Sequence, residues 1–188
     1  MAQDTAKVGR DCASRALVLD ANIMLRAVLG NCVRSLLQHY SQSVPLFTPS
    51  SCVAEVHEYL PSLCAKRNWD VNATLTLLDT LLALVNVIES AFYAEFEDQA
   101  KRRIDSRDID DWPVLALALA LDAPLWTEGA DLFGSGVATW TTETVEIYLS
   151  NERWQIDETL PPPYGTRDIP GAAVCALHHR NNVPSPGN

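Results

Sequence analysis

The chain has 188 residues, of which 47% are hydrophobic and 20% charged, and its formal net charge is -10. This length suits one globular domain with a sizeable core and leaves little room for a second. The acidic charge argues against a non-specific nucleic-acid binder, unless metal ions neutralise part of it and a local basic patch attracts phosphates.

The same composition bears on the cell compartment. The N-terminus is polar, and no apolar run reaches the length of a membrane span. The cysteines are odd in number and form no C-x-x-C pair: Cys12, Cys32, Cys52, Cys64 and Cys175. We therefore expect a reduced, cytoplasmic protein without a membrane segment, a disulfide framework or a zinc site.

In chain order, the hydrophobic pattern alternates between short apolar runs and longer segments with helical spacing. Strands are predicted at residues 16–19, 45–48, 85–88, 123–127 and 137–140. Helices are predicted at residues 21–29 and 32–40, from Ser90, and after caps at Ser50-Ser51, Asp70, Asp110 and Thr141-Thr142. Strands alternating with helices, without short hairpin turns, predict an α/β fold with a mostly parallel sheet of about five strands covered on both faces.

The domain boundaries follow from changes in composition. Residues 1–15 form a polar leader, residues 16–150 carry the predicted elements, and residues 151–188 are rich in proline. We expect the last segment to be a disordered or loosely packed tail. Its pair His178-His179 could bind a metal, although tail histidines more often have no such role.

An acidic segment precedes the most apolar helix of the chain. With Asp110 as the N-cap and Pro113 in the first turn, Asp108 and Asp111 exceed what capping requires. A helix N-terminus favours negative charge, but one carboxylate would satisfy that preference. The additional carboxylates therefore indicate a bound cation.

Other acids fall at the same predicted sheet edge. Asp20 follows the first strand, Glu55 follows the second, and Asp131 lies in the loop after the fourth, so all are expected to converge with Asp111. Clustered carboxylates repel one another unless they are protonated or neutralised, and hard oxygen ligands select Mg²⁺ or Mn²⁺. Such a metal can activate a water and stabilise charge at phosphorus. Taken singly, each acid could instead be a helix cap or a surface residue.

Two basic runs could attract a polyanionic substrate. They are Lys66-Arg67 and Lys101-Arg102-Arg103, both at predicted helix C-termini. Cations are also favoured at helix C-termini without any ligand. The sequence leaves both interpretations open.

Four blocks resemble the signature blocks of PIN-domain nucleases: LVLDAN at 17–22, AEV at 54–56, DIDDWPVLALA at 108–118, and the segment from LWTE to Trp140 at 125–140. The resemblance implies a three-layer α/β/α fold and Mg²⁺- or Mn²⁺-dependent cleavage of RNA. It also implies that Asp20, Glu55 and Asp111 are the metal-site acids, with Asn22, Asp108 and Thr127 in supporting positions. Many bacterial members are VapC-like toxins, often homodimeric and held inactive by a small antitoxin, so the resemblance implies these partners as well.

One position departs from the family pattern. Members commonly read Thr-x-Asp-x-Asp after the fourth strand, whereas this chain reads Thr127-Glu128-Gly129-Ala130-Asp131. Only Asp131, together with Glu128, could complete the acidic cluster. An alternative hypothesis is therefore a catalytically weakened or inactive PIN fold that binds RNA or protein. A Mg²⁺-dependent phosphatase or a flap nuclease would share the acids but would need a different substrate channel.

Overall fold

The computed structural model describes residues 15–104 and 107–150. Almost all of the predicted leader, residues 1–14, and the whole predicted tail, residues 151–188, lie outside the described residues. Within the described part, no helix is long and apolar enough to cross a membrane.

A five-stranded sheet lies at the centre of the fold, and every neighbouring pair of its strands is parallel. The strands are β1 (Leu17–Leu19), β2 (Leu46–Pro49), β3 (Asn86–Ile88), β4 (Leu125–Trp126) and β5 (Thr139–Trp140). Their order across the sheet is β3-β2-β1-β4-β5. The register pairs Leu17 with Leu46 and Val18 with Leu125. The predicted parallel α/β sheet is confirmed.

Helices connect the strands and cover the sheet on both faces, which gives the predicted three-layer α/β/α arrangement. They are α1 (Ala21–Leu29), α2 (Asn31–Tyr40), α3 (Ser50–Arg67), α4 (Val71–Leu82), α5 (Ser90–Tyr93), α6 (Glu97–Arg103), α7 (Trp112–Leu121) and α8 (Val145–Leu149). Two short 3₁₀ turns, Ala94–Phe96 and Ile109–Asp111, precede α6 and α7. The predicted helix from Ser90 is thus divided into α5, a 3₁₀ turn and α6.

The core explains why α7 is apolar on all sides. This helix packs against β1 and β2, and its residues Pro113, Val114, Leu115, Ala116, Leu117 and Ala118 are all buried. All of β1 is buried as well. Burying each large aliphatic side chain contributes about 1.5–3 kcal/mol, so this contact fixes the position at which α7 begins.

The helix caps agree only in part with the predictions. The Asp70 carboxylate accepts a hydrogen bond from the Ala73 amide at 3.0 Å, which confirms that cap. At α3 the N-cap is Pro49, whose ring already fixes the extended entry, and no side chain caps this helix. The helix α8 has Thr144 as its N-cap and begins at Val145, so the prediction that Thr141-Thr142 caps it is wrong.

The predicted cap at Asp110 is also wrong. Asp108 is the capping residue, because its carboxylate accepts a hydrogen bond from the Asp110 amide at 3.0 Å and starts the 3₁₀ turn. Asp111 occupies the N-cap position directly before α7, but its side chain makes no capping hydrogen bond. Sequence spacing could not distinguish a 3₁₀ turn from the first turn of the α-helix.

Candidate metal and active site

The candidate site lies at the point where the strand order of the sheet reverses. From β1 the chain proceeds outward through β2 and β3, then returns to the other side of β1 as β4. Open parallel sheets form a crevice at the carboxyl ends of the strands at such a point. Asp20 directly follows β1 and Thr127 directly follows β4, and the Thr127 hydroxyl donates a hydrogen bond to Asp20 Oδ2 at 2.5 Å.

Asn22 completes a network around the Asp20 carboxylate. Its Nδ2 donates to Asp20 Oδ2 at 2.6 Å and to Thr127 Oγ1 at 3.0 Å. Its Oδ1 accepts from the Glu128 amide at 3.1 Å, while the Gly129 amide donates to Thr127 Oγ1 at 2.9 Å. The Thr127 hydroxyl therefore donates once and accepts twice, and the Asp20 carboxylate is held in one orientation.

Asp20 is 7% exposed and Thr127 is fully buried. Burial raises the pKa of Asp20, and the hydrogen bonds from Thr127 and Asn22 oppose that rise. Burying a carboxylate costs free energy, and the hydrogen bonds of this network offset part of that cost. A buried acid held in this way is a candidate for a functional site.

The pKa of Asp111 is raised by burial and by four neighbouring acids. The residue is partly buried at the start of α7. Burial, followed by the charges of Asp20, Asp108, Asp131 and Glu55, raises its pKa from 3.8 to about 7. The structure thus brings the negative charges of these five acids to the same edge of the sheet, although they lie far apart in the sequence.

Glu55 lies in the second turn of α3 and its residue is exposed. Desolvation, followed by the charge of Asp20 and then that of Asp108, raises its pKa. Glu58 and Asp110 contribute smaller effects of the same sign. Asp108 therefore both caps the 3₁₀ turn and adds negative charge beside Glu55 and Asp111.

Glu128 does not join the acidic cluster, contrary to the interpretation that it could complete it. Its Oε1 accepts a hydrogen bond from the Thr142 amide at 2.8 Å, and its Oε2 lies 3.6 Å from Arg26 Nη2. Burial opposes ionisation of this carboxyl, but the bonds from Thr142 and the charge of Arg26 outweigh it and lower its pKa. The carboxylate is engaged by the segment after β5 and by α1, and these contacts hold the segment after β4 in place.

Sequence reasoning did not identify two neighbours of the site. The buried Cys52 thiol lies close enough for the charges of Asp20 and Glu55, after burial itself, to raise its pKa strongly. Its position three residues before Glu55 on one helix was the available signal. The second neighbour is Arg107, whose guanidinium contacts the loop that contains Asp131. No pattern in the sequence relates Arg107 to Asp131.

The acidic side chains of the site have the chemistry that a divalent cation requires, but they are not arranged around a single point. They are carboxylates that raise one another's pKa, and oxygen donors of this kind suit Mg²⁺ or Mn²⁺. In residues 15–104 and 107–150, however, no group of three or more His, Cys, Asp or Glu side chains is arranged to hold a metal ion. Glu55 and Asp131, which belong to a helix surface and a loop, would have to adjust around an ion, whereas Asp20 is already fixed.

Comparison with known proteins assigns this chain to a protein family. The model of the PIN domain matches residues 18–150. The chain therefore belongs to the PIN domain family. No curated protein sequence matches it.

Solved structures are similar in fold at low sequence identity. VapBC2 from Rickettsia felis, bound to a DNA fragment from its promoter, has a TM-score of 0.54 and 15% identity over 67% of this chain and 98% of that chain. The protein PAE2754 from Pyrobaculum aerophilum has a TM-score of 0.55 and 18% identity over 73% of this chain and 90% of that chain. FitAcB from Neisseria gonorrhoeae has a TM-score of 0.50 and 20% identity, over 68% and 98%. These likenesses confirm the fold.

Proposed function

We propose that this PIN-domain protein is a Mg²⁺- or Mn²⁺-dependent endoribonuclease that hydrolyses RNA phosphodiester bonds in the cytoplasm. In this proposal Asp20, Glu55 and Asp111 hold the metal and Asp131 assists them. The supporting residues are Asn22, Asp108 and Thr127. When bound, the divalent cation supplies an activated water and stabilises the additional charge on phosphorus.

The observation that carries the proposal is the electrostatic state of Asp111. Its pKa of about 7 means that, beyond the effect of burial, the charges of Asp20, Asp108, Asp131 and Glu55 oppose its ionisation. Acids that merely cap helices are stabilised by their surroundings, whereas this carboxylate is destabilised by its neighbours. A divalent cation bound among these carboxylates would attract each of them and so offset their mutual repulsion.

The side chains have separate tasks in this mechanism. Asn22 and Thr127 hold the Asp20 carboxylate in a fixed orientation, so that little reorganisation is needed when the cation binds. Asp108 orders the turn before α7 through its bond to the Asp110 amide, and this turn presents Asp111. Glu128 anchors the segment after β4 to Thr142 and leaves coordination to the other acids.

We further propose that the protein is the toxin of a toxin–antitoxin pair, inhibited by a small antitoxin and active as a homodimer. Two facts support this. The sequence blocks resemble those of VapC-like toxins, and one similar structure is VapBC2 from Rickettsia felis. Co-purification of the chain with the product of an adjacent small reading frame, and loss of cleavage in that complex, would test the partner.

A second candidate function is favoured by Gly129. This residue stands where many family members have an aspartate, so the chain could be a PIN fold that binds RNA or protein without cutting it. The substitution is not forced by packing. A Cβ at Gly129 would lie 3.4 Å from Thr127 Oγ1 and 3.6 Å from Asn22 Nδ2, which are ordinary contact distances.

Cleavage of a cellular RNA pool by the purified full-length protein with Mn²⁺ tests the two functions against each other. EDTA, Asp20→Asn and Asp111→Asn should each abolish cleavage. The matched control is Asp122→Asn at the other end of α7, where the left-handed backbone with a φ of 49° accepts asparagine. Discrete fragments that persist in the control and disappear in the site variants support the nuclease. RNA binding without cleavage, by folded protein free of partner, would favour the binding function.

A further inference from the structure

We propose that Arg107 is a positioning residue that holds the loop containing Asp131 against the segment containing Asp108 and Asp111. This inference rests on the proposed metal site and adds to it a residue that touches neither metal nor substrate. Nothing in the family motif includes Arg107, which lies directly before the acidic block.

The contacts of Arg107 run to the main chain of the loop. Its Nη1 donates a hydrogen bond to the Asp131 carbonyl oxygen at 2.7 Å and another to the Phe133 carbonyl oxygen. Arg103, at the end of α6, donates from Nη1 to the Ser135 carbonyl oxygen at 3.1 Å. Carbonyl groups at every second residue of the loop therefore point towards two guanidinium groups, which present several donors in a fixed plane.

The backbone of the loop is shaped around these arginines. Gly134 and Gly136 have φ angles of 81° and 86°, which other residues rarely adopt. A Cβ at Gly134 would lie 3.4 Å from Arg107 Nη2, and one at Gly136 would lie 3.1 Å from Arg103 Nη1. The contact at Gly134 is an ordinary one, whereas a side chain at Gly136 would crowd Arg103. The positive φ angles at both glycines and the tight approach at Gly136 indicate that the loop packs closely against the two arginine side chains.

Arg107 also belongs to the acidic segment itself. Its amide donates to the Ile104 carbonyl oxygen at 2.8 Å, and the next residue is Asp108, the cap of the turn that leads to Asp111. One residue thus connects the end of α6, the acidic turn and the Asp131 loop. The hydrogen bond from Arg107 reaches the main-chain oxygen of Asp131 and not its carboxylate. The guanidinium can therefore fix the backbone of Asp131 without occupying the carboxylate.

The test measures Mn²⁺ affinity by calorimetry on the full-length, metal-free protein. We expect Arg107→Ala to weaken Mn²⁺ binding about tenfold, since losing a group that orients a ligand typically weakens metal affinity 10–100-fold. Asp131→Asn should weaken binding at least as much. In the Asp131→Asn background, Arg107→Ala should have no further effect, because Arg107 acts through Asp131. The charge-matched control is Arg102→Ala on the exposed side of α6, which should leave Mn²⁺ affinity unchanged.

Each other outcome has a defined meaning. If Asp20→Asn and Asp111→Asn weaken Mn²⁺ binding but Arg107→Ala does not, the positioning role is refuted and the metal site stands. The positioning role would also be refuted if Arg107→Ala weakened Mn²⁺ binding as much in the Asp131→Asn background as in the wild type. Arg107 would then act independently of Asp131. If Asp20→Asn has no effect either, the proposed metal site itself fails. Should Arg107→Ala not fold, Arg107→Lys keeps the charge without the planar fork and should show a smaller loss in the same direction.

Discussion

The substitution Asp111→Asn should stabilise the metal-free protein, although it is expected to abolish cleavage. The pKa of Asp111 rises from 3.8 to about 7 in the folded protein, mainly through burial and then through the charges of Asp20 and Asp108. Between these two values the folded state binds a proton that the unfolded state has released. The free energy of unfolding therefore falls as pH rises through this window, and asparagine removes that loss.

The size of the effect follows from the same two values. Each pKa unit corresponds to about 1.4 kcal/mol, so the difference between 3.8 and about 7 gives an upper limit of about 4 kcal/mol. Asp111 is only partly buried, and solvent screening reduces the gain to roughly 1–2 kcal/mol. For a chain of this length, that gain raises the melting temperature by about 2–8 °C.

Thermal unfolding in EDTA at about pH 5 and about pH 8 measures this effect. Asp111→Asn should melt above the wild type at the higher pH, with a smaller difference at the lower pH. Asp122→Asn serves as the control because this exposed acid lies at the opposite end of α7. Added Mn²⁺ should reverse the order, since it stabilises a native state that binds it and should bind the wild type more tightly.

A variant Asp111→Asn that melts at or below the wild type at about pH 8 would refute this reasoning. Burial of this carboxylate and repulsion from the other acids would then together cost too little free energy to matter, and a cation would have no such cost to relieve. An identical gain in Asp122→Asn would refute it differently, because the effect would then come from the helix dipole or the overall charge of -10 and not from the site.

Of three further predictions, two concern residues around the site and one concerns a residue distant from it. Thr127→Val, which removes the hydroxyl bonded to Asp20, should lower the free energy of unfolding by about 1–3 kcal/mol in urea titrations and reduce cleavage at saturating Mn²⁺. Gly129→Asp should increase Mn²⁺ affinity in calorimetry, because the added Cβ meets only ordinary contacts and the carboxylate restores the family pattern. Asp70→Ala should lower stability by about 1 kcal/mol through loss of the α4 cap, with unchanged Mn²⁺ affinity.

The fold was predictable because its signals are local. Most strands lie within short apolar runs, and the intervening segments have helical spacing, so the alternation of strands and helices predicts the parallel sheet. The family blocks supplied the same architecture, and the convergence of Asp20, Glu55 and Asp111 at one sheet edge follows from strand direction. The roles of these acids remain proposals, although their positions agree with that expectation.

The details that could not be predicted depend on contacts between distant segments. The cap before α7 lies at Asp108 because a 3₁₀ turn intervenes, and hydrophobic spacing does not reveal that turn. Glu128 was expected near the acids, but Thr142 and Arg26 engage its carboxylate from other elements. Arg107 was overlooked because its bonds reach across more than twenty residues to main-chain oxygens, which no side-chain pattern encodes.

The basic runs bear on how an acidic protein would bind RNA. Lys101 lies 5.2 Å from the Trp112 ring centroid and pairs with Glu97, and the Arg67 guanidinium lies 5.2 Å from the ring of Trp69. These contacts favour the structural interpretation of both runs over a free basic patch. The main positive charge facing the scissile phosphate would then be the metal itself. Metal binding should therefore precede RNA binding, and RNA affinity measured with a cleavage-resistant substrate should fall sharply in EDTA.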